Sequence, residues 1–331
     1  MIGRTIDADQ AGQRVDKFLR HLFANVPQSH IYKLLRLRRV RVNGVRAHAD
    51  TLLQAGDEIV VRGEEAKLLA QPVLAPLVTG SQLAILFEDK DLLVVDKPAG
   101  LAVHPGTGIE GATLVDLARA HVGPVGAGTF AASPAHRLDR DTSGVVLIAK
   151  TRQAMVRLTE LFTAGAVHKR YLALAKGRLT GEQGTIDVPL LEHEQTAKSR
   201  AQHGVKYQEA VTHWQRIAEA PTATLLTCTI ETGRTHQIRR HLAAIGHPVA
   251  GDRRHGDFVF NRLLRSEAGL RRMFLHAAEL SLEHPQTQAR LRFAAPLPGA
   301  LEGVLKQLGL AGTQDPPAGV PLADPAKLCP P

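Results

Sequence analysis

Cysteine and aromatic residues are scarce in this chain, and long apolar runs are missing altogether. Two cysteines among 331 residues, Cys228 inside an apolar segment and Cys329 close to the end, are too few for a disulfide framework or a cysteine-rich metal site, which suits a reducing, cytoplasmic setting. Aromatic residues make up only 4%, which argues against a single-strand binder built mainly on stacking platforms. No uncharged apolar stretch reaches the roughly 18 residues of a membrane span, so no membrane partner is expected. The opening "MIGRTIDADQAGQRVDKF" carries acids where a secretory signal needs an apolar block. Acidic residues are also outnumbered, 32 against 41 lysines and arginines, for a net charge of +9. Such an excess points to a polyanionic partner, most often nucleic acid.

The excess is concentrated at the front, where eleven lysines and arginines face six acids through Arg62. Residues 13–62 read as a compact unit. "RVDKFLRHLF" sets Val15, Phe18, Leu19 and Leu22 on one helical face, and "SHIYKLLRLRRV" turns Ile31, Leu34 and Leu35 inward. "VRVNG" and "GDEIVVR" then alternate as short strands around an Asn43-Gly44 turn. Arg14, Lys17, Lys33, Arg36, Arg38, Arg39 and Arg41 cluster here, as expected of a phosphate-binding face.

Residues 63–82, with two prolines and no period, read as a linker. A larger domain is expected over 83–310. "AILFEDKDLLVVDKPAG" looks like a hairpin, with further strands at 145–149, 169–174, 224–231 and 280–283 and helices at 113–121, 153–164 and 236–244. Strands and helices mix without a βαβ repeat, which predicts an α+β domain around a mostly antiparallel sheet. The proline-rich tail, 311–331, is expected to be disordered.

Three motifs mislead. The G-x-G-x-x-G of Gly106 to Gly111 follows a His104-Pro105 interruption and lacks the acidic strand end that a ribose would need, so no nucleotide cofactor is expected. His193-Glu194 lacks the second histidine of a zinc helix, and no metal site is expected. Asp141-Thr142-Ser143-Gly144 is a single acidic turn, whereas aspartic proteases need two.

The chemistry-bearing stretch is "HRLDRDTSG", residues 136–144, which runs straight into the apolar "VVLIA". A turn needs far less charge than two carboxylates, two guanidinium groups and an imidazole. A second stretch, "TGRTHQIRRHLAAIG", closes a strand and opens a helix with Ile238, Leu242 and Ile245 inward. Arg234 then sits at the junction, placed to orient a carboxylate. In the third, "HKRYLAL", Lys169 and Tyr171 share one strand face.

Two resemblances follow from these motifs. The helix pair, "V-x-V-N-G" and "G-D-x-I" resemble the S4-like RNA-binding module. "DLLVVDKPAGLAVHPG", "HRLDRDTSG", "K-x-Y-L-A-L", "TGRTHQIRRHLAAIGHPVAGD" and "LHAAELSLEHP", in that order over residues 83–308, resemble the RNA pseudouridine synthases typified by RluA, RluC and RluD, closest to the RluC branch. The resemblance implies a cofactor-free, monomeric isomerase of uridines in 23S ribosomal RNA, with Asp139 as the catalytic carboxylate. Arg234 would be its ion-pair partner and Tyr171 would stack on the uracil. Arg137 would fill the space left by a flipped nucleotide, with His136 and Lys169 also facing RNA. Asp141 would be part of the turn that aims Asp139. Whether Asp139 attacks base or sugar, or removes a sugar proton, stays open. Two other readings stand beside this one: a transfer RNA pseudouridine synthase, and a catalytically silent RNA-binding assembly factor.

Overall fold

A computed structural model of the chain describes residues 2–8, 10–23, 26, 28–62, 83–106, 109, 111–123, 130–192 and 206–312. The expected linker and the tail beyond residue 312 lie outside the described residues.

The N-terminal unit packs helices Val15–Leu22 and Gln28–Arg36 on a four-stranded antiparallel sheet. Val15, Phe18 and Leu19 meet Ile31, Leu34, Val40 and Ile59 in its core. Asn43 and Gly44 both take positive φ, 51° and 76°, as a two-residue hairpin turn requires. The unit also begins further upstream than residue 13. Ile2–Thr5 pairs antiparallel with Glu58–Val61, a strand whose short length left no readable period.

The larger unit is built on a ten-stranded sheet. Its path runs Gln183–Asp187, Val211–Glu219, Ala223–Ile230, His168–Lys176, Leu275–Glu283, Ser143–Ala149, Leu92–Lys97 and Ala84–Glu88. Arg290–Ala294 adds to Leu275–Glu283, and Ser133–Pro134 adds to Ser143–Ala149. Every pairing is antiparallel except that of Leu275–Glu283 with Ser143–Ala149. The expected α+β architecture is therefore present, with its one parallel seam at the mouth of the "VVLIA" strand.

Both faces of this sheet are covered, which is why its central strands read as unbroken apolar runs. Leu93, Val95, Val146, Ile148, Tyr171 and Ala173 turn to one side, where Leu114, Ile238 and Leu242 of two helices cover them. Val94, Val145 and Leu147 turn to the other, against Leu158 and Leu161 of helix Arg152–Thr163. Leu172 and Leu174 face helices Phe258–Glu267 and Gly299–Gln307 through Phe260, Leu264, Leu301 and Leu305. Those last two helices, and strands Gln183–Asp187 and Val211–Glu219, lie outside the elements expected from periodicity.

The parallel seam depends on Gly144. Its φ is 117°, and a Cβ there would lie 2.1 Å from the Ala277 carbonyl oxygen. Strand Leu275–Glu283 can approach only because that atom is missing. Gly144→Ala is expected to lower stability by about 2 kcal/mol or more, seen as a fall in the urea midpoint; an unchanged midpoint would show that the seam can open.

Candidate active site

Asp139 lies on the loop between Ser133–Pro134 and Ser143–Ala149, and alternate residues fix that loop. Leu138 is buried in the sheet core, and His136 accepts a 3.0 Å hydrogen bond at Nε2 from the Leu147 backbone N–H. Burial drives the His136 pKa down to about 3, with Lys169 adding to the shift, so this imidazole is a neutral acceptor at working pH. Its ring is committed to holding the loop, and it also lines the cleft. Arg137, between these two anchors, is exposed. The Asp139 carbonyl accepts the Thr142 N–H at 3.1 Å, closing the turn that includes Asp141. Ser143 completes the support: it receives Arg272 at 2.8 Å and donates to His276 Nδ1 at 2.9 Å, while His276 Nε2–H donates to the Ala295 carbonyl.

Lys97, fully buried, reaches the same loop from the opening hairpin. Its Nζ donates to the carbonyls of Pro98 and Leu101 at 2.8 Å and of Arg140 at 3.0 Å. Burial, reinforced by Arg272, pulls its pKa down to about 7.

The partner of Asp139 is Arg239. Its Nη1 donates to Asp139 Oδ2 at 2.8 Å, while Nε and Nη2 grip Asp252 at 2.6 and 2.9 Å. Asp252 Oδ1 also accepts the backbone N–H groups of Arg254 and His255 at 2.8 and 3.0 Å. Burial alone would raise the Asp252 pKa; the Arg239 fork and these N–H groups outweigh it and hold the pKa low. The expectation that Arg234 makes this ion pair is therefore corrected. Arg234 is exposed at the cleft rim and donates to the Glu209 carbonyl at 3.1 Å. The reason is local: Gln237 Oε1 accepts the Arg234 N–H and the Thr232 hydroxyl, while its amide donates to Val211 and Thr212. That staple turns the "TGRTHQ" loop back on itself and sends Arg239, two residues further on, towards Asp139.

The cleft over Asp139 has a volume of about 580 Å³, and Arg137, His136, Thr142, Phe162, Lys169, Tyr171, Arg234 and His236 contribute to its lining. Tyr171 is buried, and burial, with the Asp139 charge adding to it, raises its pKa, so the phenol keeps its proton. Lys169 Nζ sits 5.6 Å from the centre of the Phe162 ring, and burial lowers its pKa. The Thr142 hydroxyl is buried with no hydrogen-bond partner among the described residues. Lys17, Lys33, Arg36, Arg38, Arg39 and Arg41 are exposed on the N-terminal unit, as is Arg14, which also pairs with Asp16 at 3.0 Å. None of them lines this cleft. Among the described residues no group of three or more His, Cys, Asp or Glu could hold a metal ion, and no helix is long and apolar enough to cross a membrane.

Sequence reasoning missed Arg239, Asp252 and Lys97. The available signal was the phase of the helix, since Arg239 stands three residues before the inward Leu242 and shares its side.

Comparison with known proteins agrees with this architecture. The family model for RNA pseudouridylate synthase matches residues 91–244, and that for the S4 domain matches residues 13–59. The chain is 39% identical to the ribosomal large subunit pseudouridine synthase C of Escherichia coli K12, covering 92% of this chain and 95% of that protein. It is 37% identical to the protein of the same name from Vibrio cholerae, with the same coverage. Among solved structures, human RNA pseudouridylate synthase domain containing 4 superposes with a TM-score of 0.55 at 26% identity, over 68% of this chain and 93% of its own. The family model and these relatives thus define an RNA-modifying isomerase. The chain belongs to the RNA pseudouridine synthase family.

Half-buried His136 and fully buried His276 are expected to make the fold acid-sensitive. His136 and His276 titrate at about 3 and about 4 in the folded state, mainly through burial, against 6.5 for a free imidazole. The unfolded chain therefore binds more protons between about pH 6.5 and 3, and stability falls as pH falls through that window. Urea midpoints measured from pH 7 to 4 should drop steadily, and His276→Gln should flatten the slope; an equal slope in that variant would remove His276 from the linkage.

Proposed function

We propose that this chain converts specific uridines of the large-subunit 23S ribosomal RNA to pseudouridine, acting as a cytoplasmic monomer. The observation that carries the reading is the Asp139 carboxylate, held by Arg239 in a cleft beside a buried tyrosine. The names of the similar bacterial proteins favour ribosomal over transfer RNA. The reaction breaks the bond between sugar C1′ and uracil N1, turns the base, and joins C1′ to C5; the proton lost from C5 balances the one gained at N1. Asp139 supplies the carboxylate for this exchange. Tyr171 packs on the uracil as a protonated phenol, and Arg137, exposed above the cleft, occupies the stack vacated by the flipped nucleotide. Lys169 and the basic face of the N-terminal unit bind phosphate, and a silent assembly factor would have no use for a carboxylate among them.

The test is pseudouridine mapping of 23S RNA from cells lacking this chain. Specific sites should vanish, return with the wild type, and stay absent with Asp139→Ala. If Asp139→Ala restores them, the carboxylate is not the catalyst; if no site changes in 23S or transfer RNA, the binding-factor reading takes over.

The reading gives the two arginines different roles. Arg239→Gln should cut the single-turnover rate on the order of a hundredfold, whereas Arg234→Gln should mainly weaken RNA binding at little cost in rate. The reverse order would return Arg234 to the carboxylate.

A further inference from the structure

Arg239 accounts for one oxygen of Asp139, and His236 faces the other. His236 Nε2 lies 3.9 Å from Asp139 Oδ1, and its Nδ1 lies 2.9 Å from His255 Nε2. The two rings meet edge to face with centroids 5.1 Å apart. His236 also takes left-handed backbone angles, φ 55° and ψ 29°, at the start of helix Gln237–Ala244. That conformation is uncommon outside glycine and persists only where surrounding contacts impose it.

Only one proton can occupy the 2.9 Å contact between the two rings. If His236 carried it on Nδ1, the bare Nε2 lone pair would face the Asp139 carboxylate. If His255 supplies it from Nε2, the proton of His236 sits on Nε2 and faces the carboxylate instead. Charge and dipole favour the second arrangement. We propose that His255 and His236 form a relay, His255 Nε2–H to His236 Nδ1 and His236 Nε2–H towards Asp139 Oδ1, which positions the catalytic carboxylate through the oxygen other than the one Arg239 binds. The His255 backbone N–H also binds Asp252, so relay and clamp share one anchor. This inference rests on the synthase reading above.

The relay works while both rings are neutral. Burial lowers the His236 pKa, and Asp139 and Asp252 oppose it from the flanking loops while Arg239 and Arg240 add to it from its own helix. Burial takes His255 to about 4, with Arg239 and Arg254 adding and Asp252 opposing. Protonating His236 at Nδ1 would set two N–H groups against each other. Without the His255 donor that obstacle is gone, and His236 would gain a proton nearer neutrality and pair with Asp139 as an imidazolium.

His255→Phe removes the donor, and His255→Gln keeps an N–H donor on a side chain that does not titrate. In single-turnover reactions on a 23S RNA transcript, His255→Phe should move the acid limb of the pH–rate profile up by about one unit. The loss should be on the order of tenfold at pH 6 and small at pH 8, with RNA affinity unchanged. His255→Gln should follow the wild type. Nitrogen-15 NMR of the intact protein should find His236 protonated at Nε2. A His236 protonated at Nδ1, an unshifted profile, or a parallel loss at every pH in both variants would each overturn the relay. The NMR result holds whether or not the transcript is modified, so failure of the relay is distinguishable from failure of the synthase reading.

Discussion

The guanidinium of Arg239 is the interaction on which the site depends. Two of its nitrogens are fixed on Asp252, whose side chain is fully buried, and only the third is left for Asp139. A planar fork with one edge committed has little freedom in where it points the remaining N–H. The Asp139 geometry is therefore set from three places at once: helix Gln237–Ala244 carries the arginine, the loop after Gly251 carries its anchor, and the loop before Ser143 carries the carboxylate. Removing one member of such a buried set costs about 3–5 kcal/mol, because the remaining charge is stranded. Stability and the placement of the Asp139 carboxylate consequently rest on the same contacts.

The sheet brings those three places together. Gly144 lets strand Leu275–Glu283 lie parallel to Ser143–Ala149 at closest approach, and the chain before that strand carries Arg272 to Ser143. Lys97 works from the other flank. Three N–H bonds of one ammonium match three carbonyls, and the Arg140 carbonyl it holds also accepts the Gly100 N–H. A fully buried lysine is costly, and what it secures here is the backbone next to the Asp139 carboxylate.

The Asp139 loop was legible because it violates the economy of a turn: "HRLDRDTSG" has more charge than a solvated connection needs, and it abuts a wholly apolar strand. That density marked the loop and strand alternation put Lys169 and Tyr171 on one face, but it was the resemblance that singled out Asp139 and Tyr171. The partner arginine was missed. The strand-to-helix junction drew attention to Arg234, the resemblance made it the ion-pair partner, and Arg239 inside the helix was passed over. The Gln237 staple, a side chain folding back on its own loop, turns Arg234 away, and the helix phase that sets Arg239 on the side of Leu242 is the trace it leaves in the sequence. The missed elements have a different cause. Helix Gly299–Gln307 contains two glycines, and strand Val211–Glu219 mixes charged and aromatic residues at an irregular pairing. Burial on both sheet faces also erases the alternation that marks a half-exposed strand.

The cleft must admit a polyanion to a carboxylate, which is an electrostatic contradiction unless the charges are sorted. The chain sorts them by depth. Asp139 and Asp252 share Arg239 at the bottom, His136 is kept neutral by burial, and Tyr171 keeps its proton. Arg137 and Arg234 are exposed at this cleft, Arg140 and Arg253 are exposed at a neighbouring pocket that Asp139 and Arg239 also line, and the basic N-terminal unit has its own exposed face. Positive potential at the surface draws in phosphate over a Debye length of about 8 Å in physiological salt. The carboxylate, already paired below that layer, repels the backbone far less than a free one would. Affinity can then rise with every surface arginine without changing the geometry of the reacting group, so the two functions can be tuned on separate residues.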